Sequence, residues 1–386
     1  MRLALITPYL PSPANTGGRI RIHRLARALA ARADVSLYAC AGRRETESQR
    51  KGPELGFFSS VRDRNSDWGA VPALLTSRRV RKSCPARLAR DLARDHAALP
   101  FDALVVEHSY ALATARGIVG VPVIVDEHNV ESRYQSQYLE SRQRQTGYFA
   151  RREVDLLRRW ETHTWQRADL VTCVSEADHE AIRQVRSGPV CVVPNGTNLD
   201  DIPFVSPLTR VGHEVLFVGL MSHAPNVSAA LWLAHEVMPR VWHSEPRATL
   251  VLCGRTPARE VRALASERVV VTDTVPSVVP YLSRARVYAN ALRHGAGSSL
   301  KVPEALASGV PMVSTSVGAR GFPLEPAVHY RAAETAEDFA HGVVASLRTA
   351  PEDEARALRA REVAARFDWG PIARSFADAV VALAQR

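Results

Sequence analysis

Short apolar runs alternate with helix-like stretches along almost the whole chain, and this alternation limits the fold more than any other feature. Runs of this kind suit strands that are buried on both faces of a parallel sheet, with helices as the connections. The first half carries Leu3–Thr7, Val35–Ala39, Ala103–Val106, Val121–Val125, Leu170–Val174 and Val190–Val193. The second half carries Glu214–Val218, Thr249–Cys253, Val269–Val271, Val287–Asn290 and Pro311–Ser314. The sequence therefore predicts an α/β protein with two doubly wound, Rossmann-like domains.

A polar, turn-rich passage separates the two halves. It begins at Pro194-Asn195-Gly196 and continues to Gly212, and its proline, glycine and asparagine content indicates a linker. We expect an N-terminal domain over residues 1–200, a second domain over 201–366, and a C-terminal helix over 367–386 that could return to the first domain. A cleft between two such domains is the expected ligand site.

Composition excludes several classes of protein. No run of about 18 apolar residues is present, and the first apolar run is too short for a signal peptide, so we expect a cytoplasmic protein. The five cysteines are scattered and form no C-x-x-C pair, which indicates reduced thiols. The formal charge of +10 is compatible with acidic lipid or phosphorylated small molecules. Because the charge is spread out and only 6% of the residues are aromatic, we expect no nucleic-acid partner.

A glycine-rich turn that leads into a short helix is the strongest sign of a ligand site. It reads His294-Gly295-Ala296-Gly297-Ser298-Ser299-Leu300-Lys301-Val302-Pro303-Glu304. Glycines such as Gly295 and Gly297 let a backbone approach a ligand closely, and Ser298 and Ser299 can cap the helix. The free N–H groups of a first helical turn attract anions. The turn therefore predicts a site for the phosphates of a nucleotide.

Two charged side chains extend this prediction. Lys301 adds a compact positive charge beside the helix N-terminus, in a chain whose 50 basic residues include only three lysines. Glu304 lies one turn further on the same face, where its carboxylate can accept hydrogen bonds from two neighbouring sugar hydroxyls. The same residues would also fit an ordinary glycine turn before a helix that carries a solvated Lys–Glu pair.

Candidate residues of the first half follow its predicted strands. Gly17 and Gly18 come after the first strand and open a helix, so their backbone could lie against phosphates, with Arg19 adding positive charge. His128 and His108 each follow a buried-type strand, at the edge where active-site residues of α/β sheets gather. His128 is the best catalytic candidate, since an imidazole there could hydrogen-bond a substrate. The alternatives are that Gly17-Gly18 forms a simple turn from strand to helix and that the two histidines have structural roles.

Three basic segments remain open to two interpretations. The helix near residues 19–32 carries arginines beside Ile22, Leu25 and Leu29, so it could lie on anionic lipid or pack its apolar face on the sheet. The helix near residues 142–165 has basic clusters that are typical of a solvated face, with a binding surface as the alternative. Residues 43–83 are rich in arginine and show little periodicity, which predicts a variable loop or a small helical insertion.

The chain resembles the nucleotide-sugar-dependent glycosyltransferases of the GT-B fold, specifically the retaining family numbered four. The resemblance covers nearly the whole chain and is carried by the Pro-rich loop that ends in Gly17-Gly18, by Asp126-Glu127-His128-Asn129, by Val193-Pro194-Asn195-Gly196, by Phe217-Val218-Gly219 with Pro225-Asn226, and by the stretch from Gly295 to Gly309. The last of these motifs is the most specific.

The resemblance implies an enzyme that moves a sugar from a UDP-, GDP- or TDP-sugar to an acceptor with retention of configuration. The acceptor would be a small molecule, a glycan or a lipid, and peripheral membrane contact would be compatible with it. His128 would be catalytic, and His108 and Asn129 would line the acceptor pocket. The donor would be bound by Gly17, Gly18, Arg293, Gly297, Ser298, Ser299, Leu300, Lys301 and Glu304. No covalent nucleophile, cofactor or metal is expected.

The chain departs from the family pattern at two places. Many members have two glutamates with seven residues between them, and here the first would fall at Ala296. The usual basic pair after the Phe-Val-Gly strand is replaced by Leu220-Met221-Ser222-His223. We therefore assign neutralisation of the diphosphate to Lys301, assisted by Arg293 and the helix N-terminus.

Three other functions fit parts of the pattern. A nicotinamide dehydrogenase requires G-x-G-x-x-G after the first strand, and Asn15-Thr16-Gly17-Gly18-Arg19 lacks that spacing. A nucleotide-sugar epimerase of the same fold would isomerise its substrate without an acceptor. A non-catalytic protein of this fold would bind a nucleotide sugar without turnover.

Overall fold

The computed structural model describes residues 1–14, 16–41, 59–63, 76–141, 147–294, 299 and 301–385. The chain divides into two compact units, Met1–Pro194 with Gly370–Arg386 as unit 1, and Asn195–Trp369 as unit 2. Each unit is built on one parallel sheet with helical connections. This confirms the predicted α/β class with two doubly wound domains.

The sheet of unit 1 has seven strands in the order β3-β2-β1-β4-β5-β6-β7. Their bounds are β1 Arg2–Thr7, β2 Asp34–Ala41, β3 Ser59–Asp63, β4 Ala103–Glu107, β5 Val123–Glu127, β6 Leu170–Cys173 and β7 Val190–Val192. The order reverses direction between β1 and β4, and in doubly wound sheets the ligand site lies outside the carboxyl ends of the strands at this point.

Helices connect these strands and close the unit. They are α1 Gly17–Ala30, α2 Arg78–Ser83, α3 Ala86–Ala98, α4 Glu131–Ser141, α5 Tyr148–Arg167 and α6 Glu176–Arg183, with a 3₁₀ segment at Ser109–Ala115. The C-terminal helix α15, Trp369–Ala384, belongs to unit 1 from Gly370 onward. An ion pair of 2.6 Å between Arg32 and Asp378 links α15 to the segment after α1.

Helix α1 packs its apolar face on unit 1. Ile22, Leu25 and Leu29 are buried, as is the side chain of Arg21. Of the two interpretations of this basic amphipathic pattern, the structure therefore shows packing within the protein. None of the helices in the described ranges is long and apolar enough to cross a membrane.

Strand β3 lies within the segment from which the sequence pattern predicts a loop or a helical insertion. Ser59–Asp63 pairs in parallel with β2 at the edge of the sheet. An edge strand has only one neighbour and so needs no continuous apolar run, which is why its sequence, SSVRD, gives no strand signal. The parts of this segment at 43–58 and 64–75 lie outside the described residues.

The sheet of unit 2 has six strands in the order β10-β9-β8-β11-β12-β13. Their bounds are β8 Glu214–Val218, β9 Thr249–Cys253, β10 Val269–Val271, β11 Val287–Asn290, β12 Met312–Ser314 and β13 Arg331–Ala332. This order repeats that of unit 1, with the change of direction between β8 and β11. The core beside it contains Phe217, Trp232, Leu252 and Phe339, and the Trp232 and Phe339 rings meet edge to face at 5.3 Å.

The helices of unit 2 follow the same alternation. They are α7 Ala224–Trp232, α8 Met238–Ser244, α9 Arg259–Arg262, α10 Val279–Arg284, α11 Lys301–Ser308, α12 Ser316–Ala319, α13 Ala336–Arg348 and α14 Pro351–Ala365. A π-helical turn, Leu233–Val237, joins α7 to α8. Caps set several helix starts, as where the Thr335 hydroxyl accepts the Asp338 N–H at the start of α13.

The passage predicted as a linker packs on unit 2. Its Arg210 is buried and donates hydrogen bonds to the carbonyl oxygens of Leu282, Ala285 and Ser308. Carbonyl groups at helix C-termini lack partners within their helix, and a guanidinium can satisfy several of them at once. The boundary between the units therefore lies at Pro194–Asn195.

Candidate active site

Residues from three strand ends of unit 1 meet around His128. His128 follows β5, His108 follows β4, and Tyr9 and Gly18 follow β1. The Nδ1 atom of His128 lies 3.5 Å from the Tyr9 hydroxyl oxygen. A Cβ atom at Gly18 would collide with that hydroxyl and lie 3.3 Å from His128 Nδ1, so a larger residue at the start of α1 would displace the Tyr9 side chain. The predicted residues Gly18, His128 and His108 thus share one location.

The opposite edge of the His128 ring, at Nε2, contacts buried carboxylates. Its Nε2 atom lies 2.8 Å from Glu107 Oε2 and 3.5 Å from Asp126 Oδ2. Burial lowers the pKa of His128, and Asp126 offsets this only in part, so the ring is neutral near pH 7. Burial raises the pKa of Glu107, and the charge of Asp126 raises it further. The hydrogen bond to Glu107 fixes the ring and leaves Nδ1 directed at Tyr9 and Gly18.

Arg21 neutralises Asp126 beneath this ring. Its Nε and Nη2 atoms donate to the two carboxylate oxygens at 2.7 and 2.6 Å, and the Thr172 hydroxyl donates to Oδ1 at 2.5 Å. Burial alone would raise the pKa of Asp126, but the charge and hydrogen bonds of Arg21 outweigh it and hold that pKa well below its usual range. Arg21 and Asp126 are 105 residues apart and form a buried bidentate pair.

Replacement of Arg21 by methionine is expected to lower the free energy of unfolding by about 3 to 5 kcal/mol, because it leaves the buried Asp126 carboxylate without its cationic partner. Denaturant unfolding measures this loss. Arg27→Met on the exposed side of the same helix is the matched control, and a surface change of this kind should stay within about 0.5 kcal/mol. Equal stability of the two variants would contradict the assigned pair.

His108 has an unusual backbone conformation beside His128. Its φ is 66°, in a region that non-glycine residues rarely adopt, and its backbone N–H donates to the Asp126 carbonyl at 2.8 Å. The His108 ring lies 4.1 Å from that of His128 and stacks on Tyr110 at 4.7 Å. Burial, followed by the nearby His128, lowers the pKa of His108. Strain of this kind gathers at functional sites.

Asn129 has a local partner in this structure. Its Nδ2 donates to Glu131 Oε2 at 2.8 Å, and Glu131 Oε1 pairs with Arg79 at 2.8 Å. At the start of α4, the backbone N–H groups of Glu131 and Ser132 donate hydrogen bonds to the carboxylate of Glu161, which lies on α5. These contacts place Asn129 at the N-terminus of α4, and its predicted role in acceptor binding stays a prediction.

Glu107, Asp126 and His128 have the composition of a metal site. One ligand atom from each lies within 4.8 Å of the others. The sequence spacing does not predict this cluster, because Glu107 ends β4 whereas Asp126 and His128 lie at the end of β5. Both oxygens of Asp126 accept hydrogen bonds from Arg21, whose guanidinium already supplies a positive charge beside this carboxylate. The donor set therefore fits a buried hydrogen-bonded network better than a metal centre.

Unit 2 contributes Lys301 and Glu304 on α11, which follows β11 beside β8. The Lys301 Nζ atom donates to Asn226 Oδ1 at 3.2 Å and lies 5.8 Å from the centre of the Phe217 ring. Burial lowers the pKa of Lys301 to about 8, and Glu304 offsets part of this. Burial raises the pKa of Glu304 to about 7, and Lys301 offsets part of that.

The remaining predicted donor residues are Gly17, Arg293, Gly297, Ser298, Ser299 and Leu300. Gly297, Ser298 and Leu300 lie outside the described residues, and the Ser299 carbonyl accepts the Val302 N–H at 3.1 Å. Arg293 is exposed, with its guanidinium carbon 5.2 Å from the centre of the Trp232 ring. Gly17 begins α1.

Sequence reasoning assigned no role to four residues of these two locations. They are Tyr9, Arg21, Glu107 and Asn226. Glu107 had a usable signal, since an acidic residue at the end of a buried strand next to His108 lies at the edge where ligands bind. Arg21 gave none, because a helical arginine among arginines is typical of a solvated face.

Known families and structures match the chain over most of its length. The family description "Glycosyltransferase Family 4" matches residues 16–201, and "Glycosyl transferases group 1" matches residues 212–349. No curated protein matches the chain in sequence.

Solved structures share the fold of this chain at low sequence identity. Sucrose-phosphate synthase from Thermosynechococcus elongatus is 18% identical with a TM-score of 0.73, over 99% of both chains. Anabaena HepE in complex with UDP is 15% identical with a TM-score of 0.70, over 99% of this chain and 100% of that one. WaaG, a glycosyltransferase involved in lipopolysaccharide biosynthesis, is 14% identical with a TM-score of 0.66, over 98% of this chain and 99% of that one. Both halves of the chain thus match, and the protein belongs to the family-four glycosyltransferases of the GT-B fold.

Proposed function

We propose that this glycosyltransferase moves a sugar from a nucleoside-diphosphate sugar to an acceptor hydroxyl with retention of anomeric configuration and without a metal ion. The observation that carries the proposal is the partly buried Lys301 ammonium beside Glu304, at the strand ends of unit 2 where α/β sheets bind ligands. Structures of Anabaena HepE with UDP and with UDP-glucose support a donor of this class.

Lys301 has the properties that the leaving group requires. Breaking the bond between the sugar and the diphosphate leaves negative charge on a phosphate oxygen. An ammonium in a partly buried site stabilises that charge more strongly than it would in water. Glu304 lies one turn away on α11 and would accept hydrogen bonds from hydroxyls of the nucleotide's ribose.

His128 would act on the reacting sugar. Its neutral ring presents Nδ1 beside Tyr9 and Gly18 and so offers a fixed polar atom for a sugar hydroxyl. The acceptor oxygen attacks the anomeric carbon on the face that the diphosphate leaves, and the departing phosphate oxygen takes the acceptor's proton. No covalent enzyme intermediate forms in this scheme.

The acceptor is proposed only as a class, namely a small molecule, a glycan or a lipid that binds to unit 1 near His108. Peripheral membrane contact stays a prediction for the lipid case. Helix α1 offers little support for it, since the apolar side chains Ile22, Leu25 and Leu29 are buried.

A donor screen tests the proposal. The purified protein is mixed with UDP-, GDP- and TDP-sugars, and binding is followed by thermal shift and hydrolysis by release of nucleoside diphosphate. Candidate acceptors are then added, and the product is analysed by mass spectrometry and by NMR of its anomeric configuration. We expect a retained configuration and unchanged turnover in EDTA.

Two outcomes would replace this function. Isomerisation of the nucleotide sugar without an acceptor would indicate an epimerase. Binding without turnover against any acceptor would indicate a non-catalytic binding protein. Inversion of configuration would contradict the proposed stereochemistry, and loss of activity in EDTA would contradict the proposed independence of metal.

A further inference from the structure

The Lys301 ammonium is paired with a neutral side chain. Its hydrogen bond of 3.2 Å goes to the amide oxygen of Asn226, which lies 75 residues earlier in the sequence. Within the described ranges, no carboxylate lies within ion-pair distance of Nζ, and Glu304 acts on Lys301 only through its charge. Ammonium groups withdrawn from water usually pair with carboxylates, so a neutral amide here calls for a physical reason.

Asn226 is itself held in one orientation. It is buried in the first turn of α7, and its Nδ2 donates to the Leu220 carbonyl at 2.9 Å. An amide whose nitrogen is fixed in this way must direct its oxygen to the other side, where Nζ of Lys301 lies. The loop between β8 and α7 therefore determines the orientation of the side chain that contacts Lys301.

Gly219 makes room for this contact. A Cβ atom at Gly219 would lie 2.9 Å from both Cγ and Nδ2 of Asn226 and 3.2 Å from Lys301 Nζ. These separations are too short for a carbon atom, so Asn226 or Lys301 would have to move. Gly219, Asn226 and Lys301 thus form one packed group at the carboxyl end of β8.

A neutral partner has a specific advantage at an anion site. An amide oxygen accepts one of the three ammonium N–H groups and leaves two for a ligand. A carboxylate in the same place would cancel the positive charge before any anion arrived. This matters in this chain because Leu220-Met221-Ser222-His223 occupies the loop, and burial, followed by the charge of Lys301, lowers the pKa of His223. His223 is therefore uncharged near pH 7, and Lys301 supplies the cation.

We propose that Asn226 is a positioning residue of the donor site, which orients the Lys301 ammonium toward the donor's diphosphate without neutralising it, with Gly219 allowing the close approach. The inference rests on the proposed function, because it takes the anion to be the diphosphate of a nucleotide sugar.

Asn226→Asp is the decisive variant, since it keeps the size and an acceptor for Lys301 and adds a negative charge, although it gives up the hydrogen bond to the Leu220 carbonyl, a loss that it shares with Asn226→Ala. Asn226→Ala removes the contact without adding charge. Titration calorimetry measures the affinity of each protein for UDP, GDP and TDP, and for uridine, guanosine and thymidine as phosphate-free controls. We expect Asn226→Asp to weaken binding of the diphosphate by roughly tenfold or more, because its negative charge offsets the charged hydrogen bond between Lys301 and the diphosphate. Nucleoside affinity should stay within about twofold.

The protonation of Lys301 provides a readout that needs no ligand. Lysine labelled with ¹³C at Cε gives three side-chain signals in this chain, and a Lys301→Arg variant assigns the one of interest. The pKa of Lys301 is about 8 in the native protein. A carboxylate at position 226 should raise it by about one unit or more, whereas alanine should not raise it. Diphosphate binding by Asn226→Asp should then persist to higher pH than in the native protein.

The outcomes separate the inference from the proposed function. An unchanged Lys301 pKa in Asn226→Asp would overturn the contact itself. A raised pKa with native diphosphate affinity would overturn the positioning role and leave the function standing. An equal loss of nucleoside and diphosphate binding would reduce Asn226 to a structural residue. Failure of the native protein to bind any of the three diphosphates would overturn the proposed function and the positioning role together.

Discussion

Replacing His128 with alanine is expected to lower kcat by roughly a hundredfold or more, a typical share for one positioned polar group in catalysis. The ring is fixed by Glu107 through Nε2 and presents Nδ1 beside Tyr9 and Gly18. Interactions that strengthen only in the transition state affect kcat when they are removed, whereas contacts with the bound nucleotide mostly affect KM. Because His128 belongs to unit 1 and Lys301 to unit 2, we expect nucleotide affinity to stay nearly unchanged.

Steady-state kinetics with the acceptor identified by the donor screen measure this effect. His179→Ala is the matched control, because His179 is another histidine of unit 1, lies on α6 and has only a 3.9 Å contact with Glu176. We expect that variant to keep native kcat and KM. Normal turnover by His128→Ala would reduce His128 to a structural residue and leave the catalytic assignment open.

Lys301→Ala and Glu304→Ala are each expected to weaken donor binding by tenfold or more, since the loss of a charged hydrogen bond in a binding site costs roughly 1.5 to 3 kcal/mol. The fold should survive both changes, because α11 is held by the buried side chains of Val302, Ala305 and Leu306. Calorimetry with the nucleotide sugar measures the affinity, and circular dichroism checks the fold. Lys82→Ala, an exposed lysine on α2, is the control.

The pH dependence of donor binding follows from the same lysine. With a pKa lowered to about 8, Lys301 is protonated at neutral pH and loses its charge as the pH rises through that value. Glu304, with a pKa raised to about 7, loses its negative charge as the pH falls through that value and then no longer accepts two hydrogen bonds as a carboxylate. Affinity for the donor should therefore be highest between about pH 7 and pH 8, and the Lys301→Ala variant should lack the fall on the alkaline side. Native affinity in both Lys301→Ala and Glu304→Ala would contradict the assignment of the donor site.

The sequence by itself determined the fold class and the positions of most strands of unit 2. Four of its strands, Glu214–Val218, Thr249–Cys253, Val269–Val271 and Val287–Asn290, have the predicted bounds. A strand buried on both faces needs a continuous apolar run, and such a run is visible without any knowledge of its neighbours. The family is likewise readable from local motifs, since glycines and polar residues at fixed offsets reflect the backbone approaching a ligand.

Two of the four edge strands gave no such local signal, whereas the edge strands β7 and β10 are short apolar runs and were predicted. The sequence pattern predicts neither Ser59–Asp63 nor Arg331–Ala332, and each lies at the edge of its sheet. A strand with one neighbour is stabilised by pairing more than by burial of its own side chains, so the rest of the sheet decides whether it forms.

Only the tertiary structure decided which side chains meet. Arg21 lies on a basic helix that the sequence leaves open to two interpretations, yet it is buried against Asp126, and Asn226 contacts Lys301 across 75 residues of sequence. The free energy of such contacts depends on burial and on the orientation of partners distant in sequence, and neither quantity appears in a local pattern. Residue type at a strand end can therefore nominate His128, whereas the packed sheet alone shows that Glu107 holds it.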